Sequence, residues 1–203
     1  MRTKGWKRLY VWAVLVLAVA ELLLVLASWL LSATMTEDVR SLLSSEGIRW
    51  FFGSFVAVLA SPWLVYLLLL SMAGGCLWRS GMLQLSLSGY RNRMAFRTTL
   101  ILLLLYVAAV AALTAVPHAL LLSATGQLFP SPFSRSLVPI LSFGLLLLSA
   151  VYGWTSGRFS SFTDVVDSLS FGIGKAAPLF LLYVLLLQFY ASLTYVYHYE
   201  FFL

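Results

Sequence analysis

The sequence has few of the residues that build catalytic and metal sites. Its 203 residues include one cysteine, Cys76, and two histidines, His118 and His198. One cysteine excludes an intramolecular disulfide framework, and the two histidines stand at no spacing typical of a zinc site. The chain carries no phosphate-binding loop and no cluster of nucleophile, acid and base, so we assign no catalytic residue, metal ligand or cofactor. The sequence therefore favours a protein that is not an enzyme.

Charged residues are also scarce. They make up 10% of the chain, whereas 62% of it is hydrophobic and the mean hydropathy is +0.96. This is more apolar surface than a soluble domain could bury in one core. The net charge of +6 comes from basic residues between apolar segments, a pattern that excludes a nucleic-acid-binding face. We therefore predict an all-α, polytopic membrane protein in contact with lipid.

Several apolar runs reach the roughly 20 residues that a helix needs to cross a bilayer. We predict a single membrane domain over 1–203 with spans at about 9–33, 50–78, 98–122, 137–154 and 178–199. Pro62 is expected to kink the second span, because a proline removes one backbone hydrogen bond. We also predict short interfacial helices at about 36–45 and 161–171.

The helix predicted at 161–171 has an amphipathic pattern with clear end signals. Ser161 stands three residues before Asp164, as in a capping box with Asp in place of Glu. Gly172 and Gly174 are expected to form a flexible end, and Pro178 then suits the first turn of the last span.

Basic residues set the predicted orientation. With the N-terminus inside, ten of them flank the inner ends of the spans: Arg2, Lys4, Lys7, Arg8, Arg79, Arg91, Arg93, Arg97, Arg158 and Lys175. Three flank the outer ends: Arg40, Arg49 and Arg135. Because basic residues accumulate on the cytoplasmic side, we predict a multi-pass protein of the inner (plasma) membrane with its N-terminus in the cytoplasm and its C-terminus outside.

Two polar residues lie deep in predicted spans. Glu21 is about half-way along the first, where an ionised carboxylate facing lipid costs several kcal/mol, so it should face protein or be protonated. Gln188 lies at a similar depth in the fifth span, and the two side chains could hydrogen-bond across helices. The pair is either a proton or ion site or a structural link between helices. His118, near the outer end of its span, is a further candidate.

Several short segments resemble one family of transporters. The segment 41–50, which includes Gly47, is similar to the stretch before an early membrane helix in the p-aminobenzoyl-glutamate transporter (AbgT) family, and Arg79-Ser80-Gly81-Met82 is similar to that helix's Lys-Ser-Gly-Leu end. Further similar segments follow in the family's order: Ser131-Pro132-Phe133, Val151-Tyr152-Gly153, 162–169 with Thr163 and Asp164, and Gln188-Phe189.

The resemblance implies a bacterial protein with the scaffold part of the AbgT fold. Family members are more than twice as long and place their substrate and coupling-ion site on two re-entrant hairpins. Here both hairpins are expected to be absent, so the chain resembles a short, internally deleted and C-terminally truncated relative. No substrate-binding residue can be carried over. The matching positions are structural: Gly47, Ser80, Gly81, Pro132, Gly153, Thr163, Asp164 and Gln188.

Two functional hypotheses remain open at this point. The first is an integral membrane scaffold or accessory subunit that packs as a homo-oligomer or with another membrane protein. The second is a minimal secondary transporter, acting as a homo-oligomer on p-aminobenzoyl-glutamate or an antimetabolite-like substrate, with Glu21 as the coupling group.

Overall fold

The computed structural model describes residues 3–34, 39–84, 89–115 and 132–197. Every regular element in these residues is a helix, and five of the helices are long and apolar enough to cross a membrane. The all-α, polytopic class predicted from the sequence is therefore confirmed. The helices are α1 (Thr3–Ala33), α2 (Ser45–Leu59), α3 (Pro62–Ser80), α4 (Tyr90–Ala115), α5 (Pro132–Ser156) and α6 (Phe162–Tyr197).

The span predicted at 50–78 is wrong in its bounds, because two helices occupy this stretch. α2 begins at a cap in which the Ser44 hydroxyl accepts a hydrogen bond of 3.0 Å from the Gly47 N–H, and it ends at Leu59. α3 restarts at Pro62, whose missing N–H costs nothing in a first helical turn. Pro62 also disfavours helical geometry at the residue before it, so the chain breaks at 60–61 instead of kinking. With 15 residues, α2 is about 22 Å long, too short to cross a bilayer.

A second correction concerns the last helix. The interfacial helix predicted at 161–171 and the span predicted at 178–199 are parts of one continuous helix, α6, that runs to Tyr197 with Pro178 inside it. Its 36 residues give a length of about 54 Å, well beyond the roughly 30 Å of the hydrocarbon core. The predicted break at Gly172 is absent because this glycine serves helix packing.

The other predicted bounds shift outwards or fall partly outside the described residues. α1 begins before residue 9, α4 begins at Tyr90, and α5 covers the span predicted at 137–154. Of the interfacial helix predicted at 36–45, residues 36–38 lie outside the description, and residues 39–44 form a non-helical segment. The end of the span predicted at 98–122 also lies outside it.

Packing divides the chain into two compact units. The first unit comprises Met1–Leu64 and Ala177–Leu203, and the second comprises Val65–Ala176. The prediction of one membrane domain over 1–203 stays a prediction. In the first unit, Leu24 of α1, Leu42 of the 39–44 segment and Val196 of α6 form a buried apolar cluster. Near the α2–α3 break, the Tyr183 hydroxyl of α6 hydrogen-bonds to Ser61 at 2.6 Å and donates to the Leu59 carbonyl at 3.1 Å.

In the second unit, small residues bring α3 and α6 into close approach. Gly75 lies against the backbone of Ser168 and Gly172, and a Cβ on Gly172 would overlap the Ser71 carbonyl oxygen. Ser71 and Gly75 are four residues apart on α3, and Ser168 and Gly172 are four apart on α6. This small-xxx-small spacing on both partners is typical of tightly packed membrane helices. Gly172 is thus a packing residue.

The helices α4 and α5 also pack closely in this unit. Gly144 of α5 leaves room for the Tyr106 ring of α4, and the Tyr106 hydroxyl donates a hydrogen bond of 2.6 Å to the Ile140 carbonyl.

Alanine substitutions at paired glycines test the α3–α6 approach. Gly172→Ala should lower the free energy of unfolding by about 1–3 kcal/mol, because the added methyl group overlaps the α3 backbone. Gly174→Ala is the matched control: a Cβ there meets nothing within 4 Å, so the gain in helix propensity should raise stability by up to about 1 kcal/mol. Thermal unfolding in detergent, followed by circular dichroism, measures both. Equal shifts for the two variants would contradict the packing described here.

Candidate functional site

The candidate site is a row of polar side chains in the first unit, which we name the polar strip: Glu21 and Ser28 on α1, and Gln188 and Ser192 on α6. Ser28, Gln188 and Ser192 are buried, and Glu21 is half-buried. Seven residues separate Glu21 from Ser28, so both lie on one face of α1. Gln188 and Ser192 are four residues apart and share a face of α6. Helical periodicity therefore aligns the strip along two apolar helices.

Glu21 lies near the middle of its span. The apolar part of α1 runs from Arg8 to Ala33, which places Glu21 roughly 20 Å from either end. Its Oε1 accepts a hydrogen bond of 2.6 Å from the Ser192 hydroxyl, and Ser192 is fully buried. The Glu21 partner proposed from the sequence was Gln188, and the structure instead gives Ser192, one helical turn further along α6.

Two buried oxygen atoms of the strip have no hydrogen-bond partner among the described residues. They are Glu21 Oε2 and Gln188 Oε1, and the Gln188 side chain is only 6% exposed. A buried acceptor without a donor costs about 1–3 kcal/mol. A proton on Glu21 Oε2 would turn that atom from an acceptor into a donor. The strip can therefore hold an exchangeable proton as well as link helices.

Ser28 ties a third element to the strip. Its hydroxyl accepts a hydrogen bond of 3.1 Å from the Leu42 N–H and donates one of 2.8 Å to the Val25 carbonyl. The 39–44 segment is held from its other side by the Arg40 N–H, which donates to the Val196 carbonyl at 3.1 Å. The two bonds satisfy the Leu42 N–H and the Val196 carbonyl, which belong to buried residues.

Two aromatic rings extend this attachment. Trp50 of α2 stacks on Tyr195 of α6 with ring centroids 4.3 Å apart, and the Arg40 guanidinium lies 5.9 Å from the Tyr195 ring. Gly47, a family-motif position, is buried in the first turn of α2, where a Cβ would overlap the carbonyl oxygens of Ser41 and Leu42. Gly47 therefore has a packing role in the docked segment.

Other family-motif residues cap α6 in the second unit. The Asp164 carboxylate accepts hydrogen bonds from the N–H groups of Ser160 and Ser161, at 2.7 and 3.1 Å, and from the Ser160 hydroxyl. Of the capping box predicted from Ser161 and Asp164, the structure shows the bond from the Ser161 N–H to the Asp164 carboxylate, while the Ser161 hydroxyl pairs with Thr163. The hydroxyls of Thr163 and Ser161 hydrogen-bond to each other on the exposed side. Asp164 is thus engaged in holding the helix end.

The remaining motif residues shape the turns around this cap. Gly81 adopts a positive φ of 72° after α3 and lies against the Arg158 guanidinium, so a side chain there would be both strained and crowded. Gly153 lies against the Phe159 ring, and the Ser80 hydroxyl is buried and donates to the Leu77 carbonyl at 3.0 Å. These residues fix the α5–α6 connection against the end of α3. Pro132 begins α5, its side chain lies outside the description, and so does His118.

Among the described residues, no metal site and neither of two cavities includes a residue of the polar strip. Among residues 3–34, 39–84, 89–115 and 132–197, no three His, Cys, Asp or Glu side chains lie close enough together to hold a metal ion. One cavity of about 460 Å³ lies between α4 and α5 and is apolar, and another of about 410 Å³ lies along the start of α4. Both belong to the second unit.

Sequence reasoning found Glu21 and Gln188 by their depth in apolar runs but missed Ser28 and Ser192. The available signal was spacing. Ser28 is seven residues after Glu21 and Ser192 is four residues after Gln188, so each serine lies on the same helix face as a polar residue already identified. A serine in an apolar helix is common, so this signal gains meaning only once the facing helix is known.

The described helices define a multi-pass helical membrane protein. The crystal structure of the Alcanivorax borkumensis YdaH transporter, an AbgT-family protein with an unusual topology, is similar to it. The TM-score is 0.74 at 15% sequence identity, over 90% of this chain and 70% of that chain. No protein-family model matches the sequence, and no curated protein matches it significantly. The comparison agrees with the AbgT resemblance at the level of the fold, while the internal deletion and the truncation stay predictions.

A pair of serine substitutions tests the attachment role of Ser28. Ser28→Ala leaves the buried Leu42 N–H without its acceptor and should lower the free energy of unfolding by about 1–3 kcal/mol. Ser32→Ala, one turn further along α1 at an exposed position, should change it by less than about 0.5 kcal/mol. Hydrogen exchange of the 39–44 amides gives a second readout, and protection of these amides should fall only in Ser28→Ala. Unchanged protection in that variant would contradict the role.

Proposed function

We propose that this protein is a transporter-related integral membrane scaffold or accessory subunit with an AbgT-like fold. It works as a homo-oligomer or within a membrane-protein complex, and its role is not enzymatic. One observation supports this function best: polar groups in the first unit serve mainly as ties between elements. The Ser192 hydroxyl binds Glu21, and the Ser28 hydroxyl binds the Leu42 N–H.

Packing at the family-motif positions supports the same proposal. Gly47 and Gly153 each leave room for a neighbouring group, and Asp164 caps α6. Gln188 itself belongs to a buried helix face. Gly47, Gly153 and Asp164 thus have packing or capping roles, as expected of a structural framework.

The second candidate function is a minimal secondary transporter acting as a homo-oligomer. It is favoured by the unpartnered Glu21 Oε2 at mid-depth in a fold shared with a transporter. Intramembrane carboxylates that can exchange a proton commonly serve as coupling groups. In this candidate, Glu21 couples proton movement to p-aminobenzoyl-glutamate or an antimetabolite-like substrate, as the family resemblance implies.

Reconstitution distinguishes the two candidates. The gently extracted chain is weighed by native mass spectrometry and then placed in liposomes, where uptake of labelled p-aminobenzoyl-glutamate is followed under an imposed pH gradient. The scaffold proposal predicts an assembly larger than one chain and uptake equal to that of empty liposomes. A monomer, or uptake above that background, would contradict it.

Glu21→Gln tests the coupling role in the same assay. The glutamine oxygen can still accept the Ser192 hydrogen bond, so the variant should keep its unfolding temperature while losing the exchangeable proton. If the wild-type chain transports, the minimal transporter predicts that the pH dependence of uptake disappears in Glu21→Gln. Uptake by Glu21→Gln with the same pH dependence as the wild-type chain would exclude Glu21 as the coupling group.

We also propose an inner (plasma) membrane location in a bacterium, with the N-terminus in the cytoplasm and the C-terminus outside. The distribution of basic residues supports this orientation, since it places ten of them at the inner ends of the spans and three at the outer ends. Alkaline phosphatase fused to the C-terminus should be active in cells, because it folds only outside the cytoplasm, and a fusion after residue 84 should be inactive. An inactive C-terminal fusion together with an active fusion after residue 84 would show that the topology is the reverse of the proposed one.

A further inference from the structure

The second unit carries a marked excess of positive charge. From Gly47 to Thr163 the sequence contains no acidic residue, and in Val65–Ala176 the only acids are Asp164 and Asp167. The same unit contains seven basic residues: Arg79, Arg91, Arg93, Arg97, Arg135, Arg158 and Lys175. Since the Asp164 carboxylate caps α6, little negative charge within the unit is available to balance them.

Several of these basic side chains have structural neighbours. Arg158 lies against Gly81, Arg91 lies against Gly157, and Arg79 and Lys175 lie over the Phe171 ring. Arg93 and Arg97 are exposed on α4, as the other four are, and both of them line its cavity of about 410 Å³. Among the described residues, Tyr90, Met94 and Thr98 also line this cavity.

The same face of α4 continues as an exposed aliphatic surface. Arg93 and Arg97 are one turn apart, and Ile101 and Leu104 follow at the next two turns of that face. Ile101 and Leu104 are each 64% exposed and neighbouring Leu105 is 65% exposed. Leu104 lies about 10 Å along the helix axis from Arg97. The face therefore joins a cationic cavity to an aliphatic strip, in the order that the headgroup and acyl chain of a phospholipid follow.

We propose that this face of α4 binds one anionic phospholipid. Its phosphate occupies the cavity between Arg93 and Arg97, and its acyl chain lies along Ile101 and Leu104. Two guanidinium groups can each donate paired hydrogen bonds to phosphate oxygens, and the Tyr90 ring suits the level of the headgroups. Basic pockets at the membrane surface select anionic over zwitterionic headgroups for the same reason.

The aliphatic continuation identifies the ligand as a lipid. A soluble phosphate compound would need the two arginines but would gain nothing from Ile101 or Leu104 in contact with hydrocarbon. This proposal is independent of the transport or scaffold role, because neither Glu21 nor the polar strip takes part in it.

Native mass spectrometry of the full chain tests the proposal. The delipidated protein is incubated with equal amounts of phosphatidylglycerol and phosphatidylethanolamine that have the same acyl chains. We expect the anionic adduct to exceed the zwitterionic one by about tenfold or more. Equal adducts in the wild-type chain would overturn the proposal, whatever the variants do.

Charge-matched variants locate the site. Arg93→Gln with Arg97→Gln should bring the ratio of the two adducts close to one, whereas Arg8→Gln with Arg49→Gln removes the same charge elsewhere and should leave the ratio unchanged. An equal loss in both double variants would show that net charge, and not this cavity, attracts the lipid. Arg93→Lys with Arg97→Lys keeps the charge and should retain only part of the preference, because lysine lacks the planar fork.

Two further arms separate a lipid from a free phosphate ligand. Ile101→Ser with Leu104→Ser should lower the anionic adduct several-fold while the arginines remain. Glycerol 3-phosphate, added in large excess, should leave the adduct unchanged. Displacement by glycerol 3-phosphate together with an intact adduct in the serine variant would assign the cavity to a soluble phosphate and overturn the lipid site.

Discussion

The first unit depends on hydrogen bonds made where no water is available. Ser28 binds the Leu42 N–H, and Ser192 binds Glu21, so each serine joins α1 to a different element. In hydrocarbon, apolar side chains gain little by leaving lipid for protein, and helix association relies on close packing and on such polar contacts. The apolar cluster of Leu24, Leu42 and Val196 lies in the same unit as these hydrogen bonds. The polar strip is therefore both the structural link of this unit and its candidate functional site.

The second unit is held together by a different means, the close approach of small residues. Gly75 and Gly172 let the α3 and α6 backbones touch, and Gly144 admits the Tyr106 ring between α4 and α5. The turn between α5 and α6 is fixed by Gly153 against Phe159 and by the Asp164 cap. This unit keeps few acids among many arginines, and the lipid that surrounds it offers the complementary charge.

The sequence predicts the features that depend on one segment alone. Run length and hydropathy predict the five long apolar helices, and the local spacing of Ser161 and Asp164 predicts the cap of α6. The misplaced features depend on a facing segment. Pro62 can kink a helix or break it, and the outcome depends on how the neighbouring backbone groups are satisfied. Gly172 was expected to be flexible because the sequence does not reveal that it meets α3.

The candidate site shows the same division between local and long-range information. Depth in an apolar run singles out Glu21 and Gln188, but the rotation of α6 about its axis decides which residue meets Glu21. If α6 were rotated about its axis by one residue position, a different residue would face Glu21. Helix packing therefore decides which residue is the hydrogen-bond partner of Glu21.

The structural role of the polar strip requires that Glu21 and Ser192 stabilise the protein as a bonded pair. A double-mutant cycle with Glu21→Leu and Ser192→Ala, measured as unfolding free energies in lipid bicelles, isolates their interaction from the effects of each substitution alone. We predict a favourable coupling energy of about 0.6–1.7 kcal/mol, the range of interhelical hydrogen bonds in membranes. Additive substitutions, with a coupling energy near zero, would contradict the structural role assigned to the polar strip.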